Sequence, residues 1–149
     1  MKKIIIITMM LTAVLAAMAQ QGLAVDKVFK GSIVPLEQMV ETRVRGKDIA
    51  KYQLSYFRSL RFGATPAQTE EIFSLVEKDE HQESVRSGSD SPGAKDTRTL
   101  MVRLKPTTKG NRFVCVKARK ISSKHNEVIL IYMEGTLNSL EKLGEILKN

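Results

Sequence analysis

The chain has 149 residues, which is enough for one folded domain and too few for two. With 42% hydrophobic and 27% charged residues it is neither disordered nor fibrous by composition. A single cysteine and two histidines exclude a disulfide framework, a cysteine-rich zinc module and an iron–sulfur site.

The N-terminus has the pattern of a secretory signal peptide. Lys2 and Lys3 precede an apolar run, and Ala17-Met18-Ala19 fits the small-x-small rule for cleavage. The apolar run has about sixteen residues, fewer than the roughly 20 that a membrane-spanning helix needs. We therefore expect cleavage after Ala19 and an exported protein, periplasmic or extracellular, without a stable membrane span.

The rest of the chain is predicted to form one domain. We divide the sequence into a signal peptide at 1–19, an N-terminal lead-in at 20–38 and a single α+β domain at 39–149. Within that domain the segment 84–97 is rich in serine, glycine and proline, which predicts a mobile loop.

The first half of the domain predicts two strands. Met39–Arg45 ends at Gly46 and indicates a short strand, and Gly46-Lys47-Asp48 indicates a turn. Tyr52–Phe62 carries apolar residues at alternate positions, which indicates a second strand.

A helix start is the clearest local signal. Thr65 fits the N-cap, Pro66 fits the first helical position, and Gln68 completes a capping box. The helix is expected to run to about Gln82, with three residues on its buried side: Ile72, Phe73 and Val76.

The second half predicts three strands and a final helix. The strands are expected at Leu100–Lys105, Phe113–Lys120 and Val128–Met133, and Pro106–Asn111 is expected to be a hairpin loop. Leu137–Leu147 predicts a helix whose leucines face inward. The order predicts an α+β fold, an antiparallel sheet of about four to five strands with two helices packed on one face.

Several short motifs resemble a known family. Asn111-Arg112-Phe113, the run Glu127–Thr136 and the leucine-rich end resemble small exported proteins of Bacteroidetes-type bacteria that carry a domain of unknown function. Gly46-Lys47 and Tyr52–Leu60 match the same family, so the resemblance spans roughly residues 40–147. It implies export and a compact α+β domain, and it implies no catalytic residue and no ligand.

Charge is distributed unevenly along the chain, whose formal net charge is +8. From Thr97 to Asn126 there are nine basic residues and no acid, whereas Glu70 to Glu83 contains six acids and one base. This distribution predicts a positive hairpin and a negative first helix. Four basic side chains share one strand parity and are expected on one sheet face: Arg103, Lys105, Lys117 and Arg119.

Such a face suits an anionic envelope polymer or an acidic envelope protein, and the alternative is an ordinary solvated face. Since only Phe113 is interleaved with these charges, the pattern argues against nucleic acid, which needs stacking platforms.

An apolar strip is the second candidate surface. Its members are expected on the sheet face away from the main core: Phe113, Ile129, Ile131 and Met133. An exposed strip of this kind marks a protein partner or a homodimer contact, and the alternative is that a helix or the N-terminal segment covers it.

Catalytic patterns are weak. Cys115 lies in a strand-like run and is expected to be a small buried hydrophobe, but a thiol with His125 as its base stays open as an alternative. His81 and His125 have no second histidine at helical spacing, and no nucleophile elbow or nucleotide-binding glycine pattern occurs. We therefore predict a non-enzymatic binding module of the bacterial envelope without metal or cofactor, the alternative being a small secreted thiol-dependent enzyme that uses Cys115.

Overall fold

An open antiparallel sheet of six strands organises the protein. The computed structural model describes residues 22–88 and 96–148. The strands are β1 (Val40–Arg45), β2 (Leu54–Ala64), β3 (Ser84–Ser87), β4 (Thr97–Thr107), β5 (Gly110–Ser122) and β6 (His125–Gly135). The helices of the described residues are α1 (Asp26–Phe29), α2 (Lys47–Ala50), α3 (Pro66–Lys78) and α4 (Leu140–Lys148), and a 3-10 turn (Leu36–Gln38) precedes β1. Across the sheet the strand order is β1-β2-β6-β5-β4-β3.

The α+β class and the antiparallel sheet are confirmed, but the sheet has more strands than expected. The start of the predicted mobile loop at 84–97 forms β3, which pairs with β4 at the sheet edge. Most side chains of β3 are exposed, so its sequence lacks the apolar alternation that identifies a half-buried strand. Residues 89–95 of that predicted loop, and the predicted signal peptide at 1–19, lie outside the described residues.

Helix α3 begins as predicted. The side-chain oxygen of Thr65 accepts a hydrogen bond from the backbone N–H of Gln68 at 3.2 Å, and the Gln68 side chain accepts one from the backbone N–H of Thr65 at 3.0 Å. Pro66 occupies the first helical position, where its missing N–H costs nothing. The three residues expected on the buried side are all buried: Ile72, Phe73 and Val76.

The N-terminal lead-in belongs to the folded domain, which therefore begins before residue 39. Helix α3 ends at Lys78, earlier than expected, and Asp79 follows it. The carboxylate of Asp79 accepts hydrogen bonds from the backbone N–H groups of Ala24 at 2.7 Å and Val25 at 2.8 Å. Four apolar side chains of the lead-in are buried in the same core as α3: Val25, Val28, Phe29 and Val34.

The two longer helices lie on opposite faces of the sheet, so the expected placement on one face is wrong. Helix α3 and the lead-in share a core with one face of the sheet, and α4 shares a second core with the other face. The reason is that β6 is apolar at both parities, so each face needs its own cover. Leu137 is buried ahead of α4, and Leu140 and Leu143 are buried within it.

Candidate binding surface

Parallel rows of side chains cross the face of the sheet on which α4 packs. Because directly opposed residues of antiparallel strands point to the same face, each row runs from strand to strand. Successive rows contain the β5 residues Phe113, Cys115, Lys117 and Arg119. Phe113 and Cys115 are buried with α4, whereas Lys117 and Arg119 are exposed. The helix therefore covers one end of this face and leaves the other end open.

The two uncovered rows form a surface that we call the open half-face. Lys117 lies between Thr99 and Ile129, and Arg119 lies between Thr97 and Glu127. Every member is half-buried or exposed, and the two rows contain Val40, Arg61, Gly63, Thr97, Thr99, Lys117, Arg119, Glu127 and Ile129. A shallow cavity of about 240 Å³ lies on this surface, lined by Lys117, Arg119, Glu127 and Ile129.

Three basic side chains surround a single carboxylate on the open half-face. Glu127 forms ion pairs with Arg61 at 3.0 Å and with Arg119 at 3.5 Å. The hydrogen bond from Arg61 lowers the pKa of Glu127, and the charges of Arg61, Arg119 and Lys117 lower it further against the opposing effect of burial. Glu127 therefore stays ionised near neutral pH, and the surface keeps an excess of two positive charges.

The four predicted basic residues do not form one patch. Lys117 and Arg119 lie together on the open half-face, as their spacing on one strand requires. Lys105 is exposed near the opposite end of β4. Arg103 pairs with Phe113, four positions along β5 from Lys117, which separates the two backbones by roughly 13 Å.

Arg103 holds separate parts of the fold together. Its guanidinium donates to the Glu83 carboxylate at 3.1 Å, to the Asn138 side-chain oxygen at 2.8 Å and to the Asn138 carbonyl at 3.0 Å. It also lies over the ring of Phe113 at 5.3 Å, and only 15% of its side chain is exposed. These contacts join the entry to β3 with the turn before α4, so Arg103 belongs to the structure and not to an open basic surface.

The structure corrects the expectation of an exposed apolar strip. Phe113 and Met133 have no exposed surface, because Leu140 and Leu143 of α4 share their core. Ile131 is half-buried and packs against the same core. Only Ile129 remains on the open half-face, between basic side chains.

Cys115 is a buried thiol that lies far from His125. It is 5% exposed, and burial raises its pKa to about 12 against the opposing effect of the Lys117 charge. Cys115 pairs with Ile131, which lies six positions along β6 from His125, so the thiol and the imidazole belong to backbones roughly 20 Å apart. The pairing of Cys115 with His125 that a thiol enzyme requires is therefore not formed.

The basic strands and the acidic helix partly neutralise each other. Arg98 binds Glu70 at 2.7 Å and Arg86 binds Glu77 at 2.7 Å, both glutamates lying on α3. Arg98 also lies over the ring of Phe73 at 3.9 Å, on the wall of a cavity of about 610 Å³ between α3 and the sheet. The acidic side chains of α3 thus form exposed ion pairs with arginines of the neighbouring strands.

Sequence reasoning missed a buried polar cluster on the face that α3 covers. The Tyr132 hydroxyl donates to the Glu134 carboxylate at 2.6 Å, and burial together with this hydrogen bond raises the pKa of Tyr132. Arg112, the cross-strand partner of Glu134, donates twice to the carbonyl of Lys105, at 2.9 and 2.7 Å. A signal in the sequence could have revealed the cluster. Glu134 lies two residues after Tyr132 and so shares its buried face of β6, and it lies opposite Arg112 across the hairpin.

Two further features of the described residues concern membrane-spanning helices and metal sites. No helix among residues 22–88 and 96–148 is long and apolar enough to cross a membrane. In the same part of the chain no three histidine, cysteine, aspartate or glutamate side chains come together to hold a metal ion.

The fold and surface define a class: a small α+β protein with an open antiparallel sheet, half of one face being uncovered and basic. The chain belongs to a family of unknown function (DUF6108), whose model matches residues 12–147. No curated protein and no solved structure matches the chain.

Proposed function

We propose that the chain is an exported, non-enzymatic binding module of the bacterial envelope, and that it binds an anionic partner on the open half-face. The observation that carries the proposal is the pair of uncovered rows in which Arg61, Lys117 and Arg119 surround one carboxylate. The partner class is an anionic envelope polymer or an acidic segment of an envelope protein.

The spacing of the charges favours an extended anion over a small one. Arg61 on β2 and Lys117 on β5 lie on either side of Ile129 of β6, so their backbones are about 10 Å apart. Such a distance suits successive acidic groups of a chain that crosses the strands. Within the described residues Lys117 forms no salt bridge, so an incoming anion does not have to displace a partner there.

Export is proposed from the N-terminal pattern and from the resemblance to exported Bacteroidetes-type proteins. A short basic region, an apolar run and Ala17-Met18-Ala19 support cleavage after Ala19. The test is to express the full chain with a C-terminal tag in a bacterial host and to sequence the N-terminus of the product. A periplasmic or extracellular product that begins at Gln20 supports the proposal, and a cell-retained product that begins at Met1 contradicts it.

Binding is tested with a charge-reversal variant and a matched control. The chain from Gln20 is immobilised and challenged with heparin as a model anionic polysaccharide, with neutral dextran, and with envelope extract. We expect Lys117→Glu/Arg119→Glu to lose retention of heparin and extract components. Lys105→Glu/Lys124→Glu carries the same change in net charge at exposed positions outside the open half-face, and it should keep most of that retention.

The remaining outcomes separate the partner classes. Retention that disappears at high salt is expected, because exposed charges are screened there. Loss after protease treatment of the extract identifies an acidic protein, and survival of that treatment identifies a polymer. Equal losses in the two variants would mean that net charge alone drives binding, and the proposal would then fail.

A further inference from the structure

The strand β1 forms one outer edge of the sheet. It pairs with β2 on one side, and no described strand pairs with its other side. Five of its six residues are exposed, and Val40 keeps 67% of its surface exposed. An edge of this kind offers a row of backbone hydrogen-bonding groups to a further strand.

The sheet determines which residues of β1 direct their backbone groups outward. Gly46 donates its N–H to the carbonyl of Ser55 at 3.4 Å. Since residues of an antiparallel ladder alternate between the two sides, Val44, Thr42 and Val40 also face β2. Glu41, Arg43 and Arg45 therefore direct their N–H and C=O groups away from the sheet.

The opposite side of the sheet gives the same assignment. Lys120 donates its N–H to the carbonyl of Asp96 at 2.7 Å, which fixes the alternation between β4 and β5. Carrying that alternation through the registers of β5 with β6, β6 with β2 and β2 with β1 again leaves Glu41 and Arg43 facing outward.

The sequence of this edge is complementary to itself. When a second copy runs antiparallel with Thr42 opposite Thr42, Glu41 lies opposite Arg43 and Val40 lies opposite Val44, each of these pairs occurring twice. The outward residues Glu41 and Arg43 then form the hydrogen-bonded pairs of the new ladder.

The two neighbouring registers bring like charges together at the two-fold axis. An axis at Glu41 sets Glu41 opposite Glu41. An axis at Arg43 also sets Glu41 opposite Arg45, but it sets Arg43 opposite Arg43, and like charges directly opposite each other are destabilising. In other registers a residue whose backbone groups point outward lies opposite one whose backbone groups bind β2. The hydrogen bonds between the two copies are then lost, and the side chains of the second copy point to the opposite face of the sheet.

We propose that a second copy of this chain docks on the β1 edge in the register centred on Thr42, which forms a two-fold symmetric dimer with one continuous sheet. Charges on an edge strand usually discourage pairing between sheets. Here the signs alternate, so a copy of the same strand meets opposite charges. Glu41 already attracts arginines within the chain, since it is bound by Arg43 and by Arg58, the latter at 2.8 Å. The arginine of a second copy would extend this network.

Charge complementation between two variants tests the dimer. The chain from Gln20 contains all the described residues and is examined by sedimentation at micromolar concentration. Glu41→Arg places arginine opposite arginine, and Arg43→Glu places glutamate opposite glutamate, so each variant alone should weaken association by about tenfold or more. An equimolar mixture of the two variants pairs opposite charges again, and so does the double variant Glu41→Arg/Arg43→Glu. Both should recover the association of the wild type.

Disulfide trapping tests the register. Thr42→Cys places two thiols opposite each other at a non-hydrogen-bonded pair, where Cα atoms are about 4.5 Å apart and a disulfide fits. Val44→Cys is the matched control, because the two thiols would then lie roughly 13 Å apart. We expect oxidation to cross-link the Thr42→Cys variant and to leave the Val44→Cys variant monomeric on a non-reducing gel.

The outcomes decide the proposal. A wild type that sediments as a monomer at every concentration overturns it, and so does a dimer that both single variants leave intact. A mixture that fails to recover association also overturns it, provided that urea titration shows both variants to be folded. Cross-linking of Val44→Cys in place of Thr42→Cys overturns the register.

Discussion

The reactivity of Cys115 provides a quantitative test of the two functional hypotheses. Burial raises the pKa of this thiol from an ordinary value of 9.0 to about 12. At pH 8 an ordinary thiol is about 10% ionised, whereas Cys115 would be about 0.01% ionised. Since only the thiolate reacts, alkylation of the native protein should be at least about a thousandfold slower than alkylation of an exposed thiol.

The assay is the rate of iodoacetamide labelling, followed by intact mass in native buffer and in urea. The matched control is Cys115→Ala/Ser74→Cys, which places the single thiol on the exposed side of α3. We expect slow labelling of Cys115 that becomes fast on unfolding, and fast labelling of the control in both conditions. A native rate for Cys115 within tenfold of the control would refute the reasoning and would restore the thiol-enzyme hypothesis.

The same burial makes stability depend on pH at the alkaline end. Because the pKa of Cys115 is raised in the folded state, its contribution to the free energy of unfolding is complete below pH 9 and is lost as the pH rises toward about 12. The variant Cys115→Ala lacks this group. Its free energy of unfolding should therefore fall less steeply above pH 9 in urea titrations than that of the wild type.

Three further predictions concern the free energy of unfolding, measured by urea titration. Tyr132→Phe removes the donor to Glu134 and should cost about 1.5–3 kcal/mol, because the bond is buried and charge-assisted; a cost below about 0.5 kcal/mol would contradict this account. Gly135→Ala would place a Cβ 2.7 Å from the Cα of Leu54, which is backbone, and should cost about 1–3 kcal/mol. Gly144→Ala in α4 would place a Cβ 3.3 Å from the terminal methyl of Met101, a flexible side-chain end, and should gain up to about 1 kcal/mol; equal effects of the two changes would refute the contrast. Thr65→Ala removes the cap of α3 and should cost about 1 kcal/mol, while no change would mean that the capping box contributes nothing.

The features predictable from sequence were those that depend on neighbours in the chain. The start of α3 follows from Thr65, Pro66 and Gln68, which lie within four residues. Lys117 and Arg119 share a face because they are two residues apart on one strand. The opposite was true of Arg103, whose partners Glu83 and Asn138 are 20 and 35 residues away. No local pattern identifies such distant partners. The sequence therefore predicted Arg103 on an open basic face, although its guanidinium binds other parts of the fold.

The placement of the helices was also beyond a local pattern. The continuous apolar run in β6 indicates that both faces of the sheet are apolar, but it does not indicate which helix covers which face. That assignment depends on packing across the whole sheet. Because α4 packs on this face, Phe113 and Met133 are buried, whereas Lys117 and Arg119 remain uncovered.

The position of β6 affects when the protein can fold. It is the last of the described strands in sequence but lies inside the sheet, where it joins β2 to β5. Its contacts with β2 extend from Ala64 with Asn126 to Leu54 with Gly135, so the paired residues are 62 to 81 positions apart. Contacts between residues so far apart in sequence slow folding, since a long loop must close before they form.

Until β6 is available, the β1–β2 hairpin and the β4–β5 hairpin have no common strand. The lead-in is synthesised early, but the ring of Phe29 packs against Tyr132 on β6. The lead-in therefore cannot complete its packing until β6 is present. The two hairpins therefore cannot join into one sheet until β6 has been synthesised. The export that we propose would be compatible with this order of events, because a chain whose sheet has not closed can cross a membrane in an extended form.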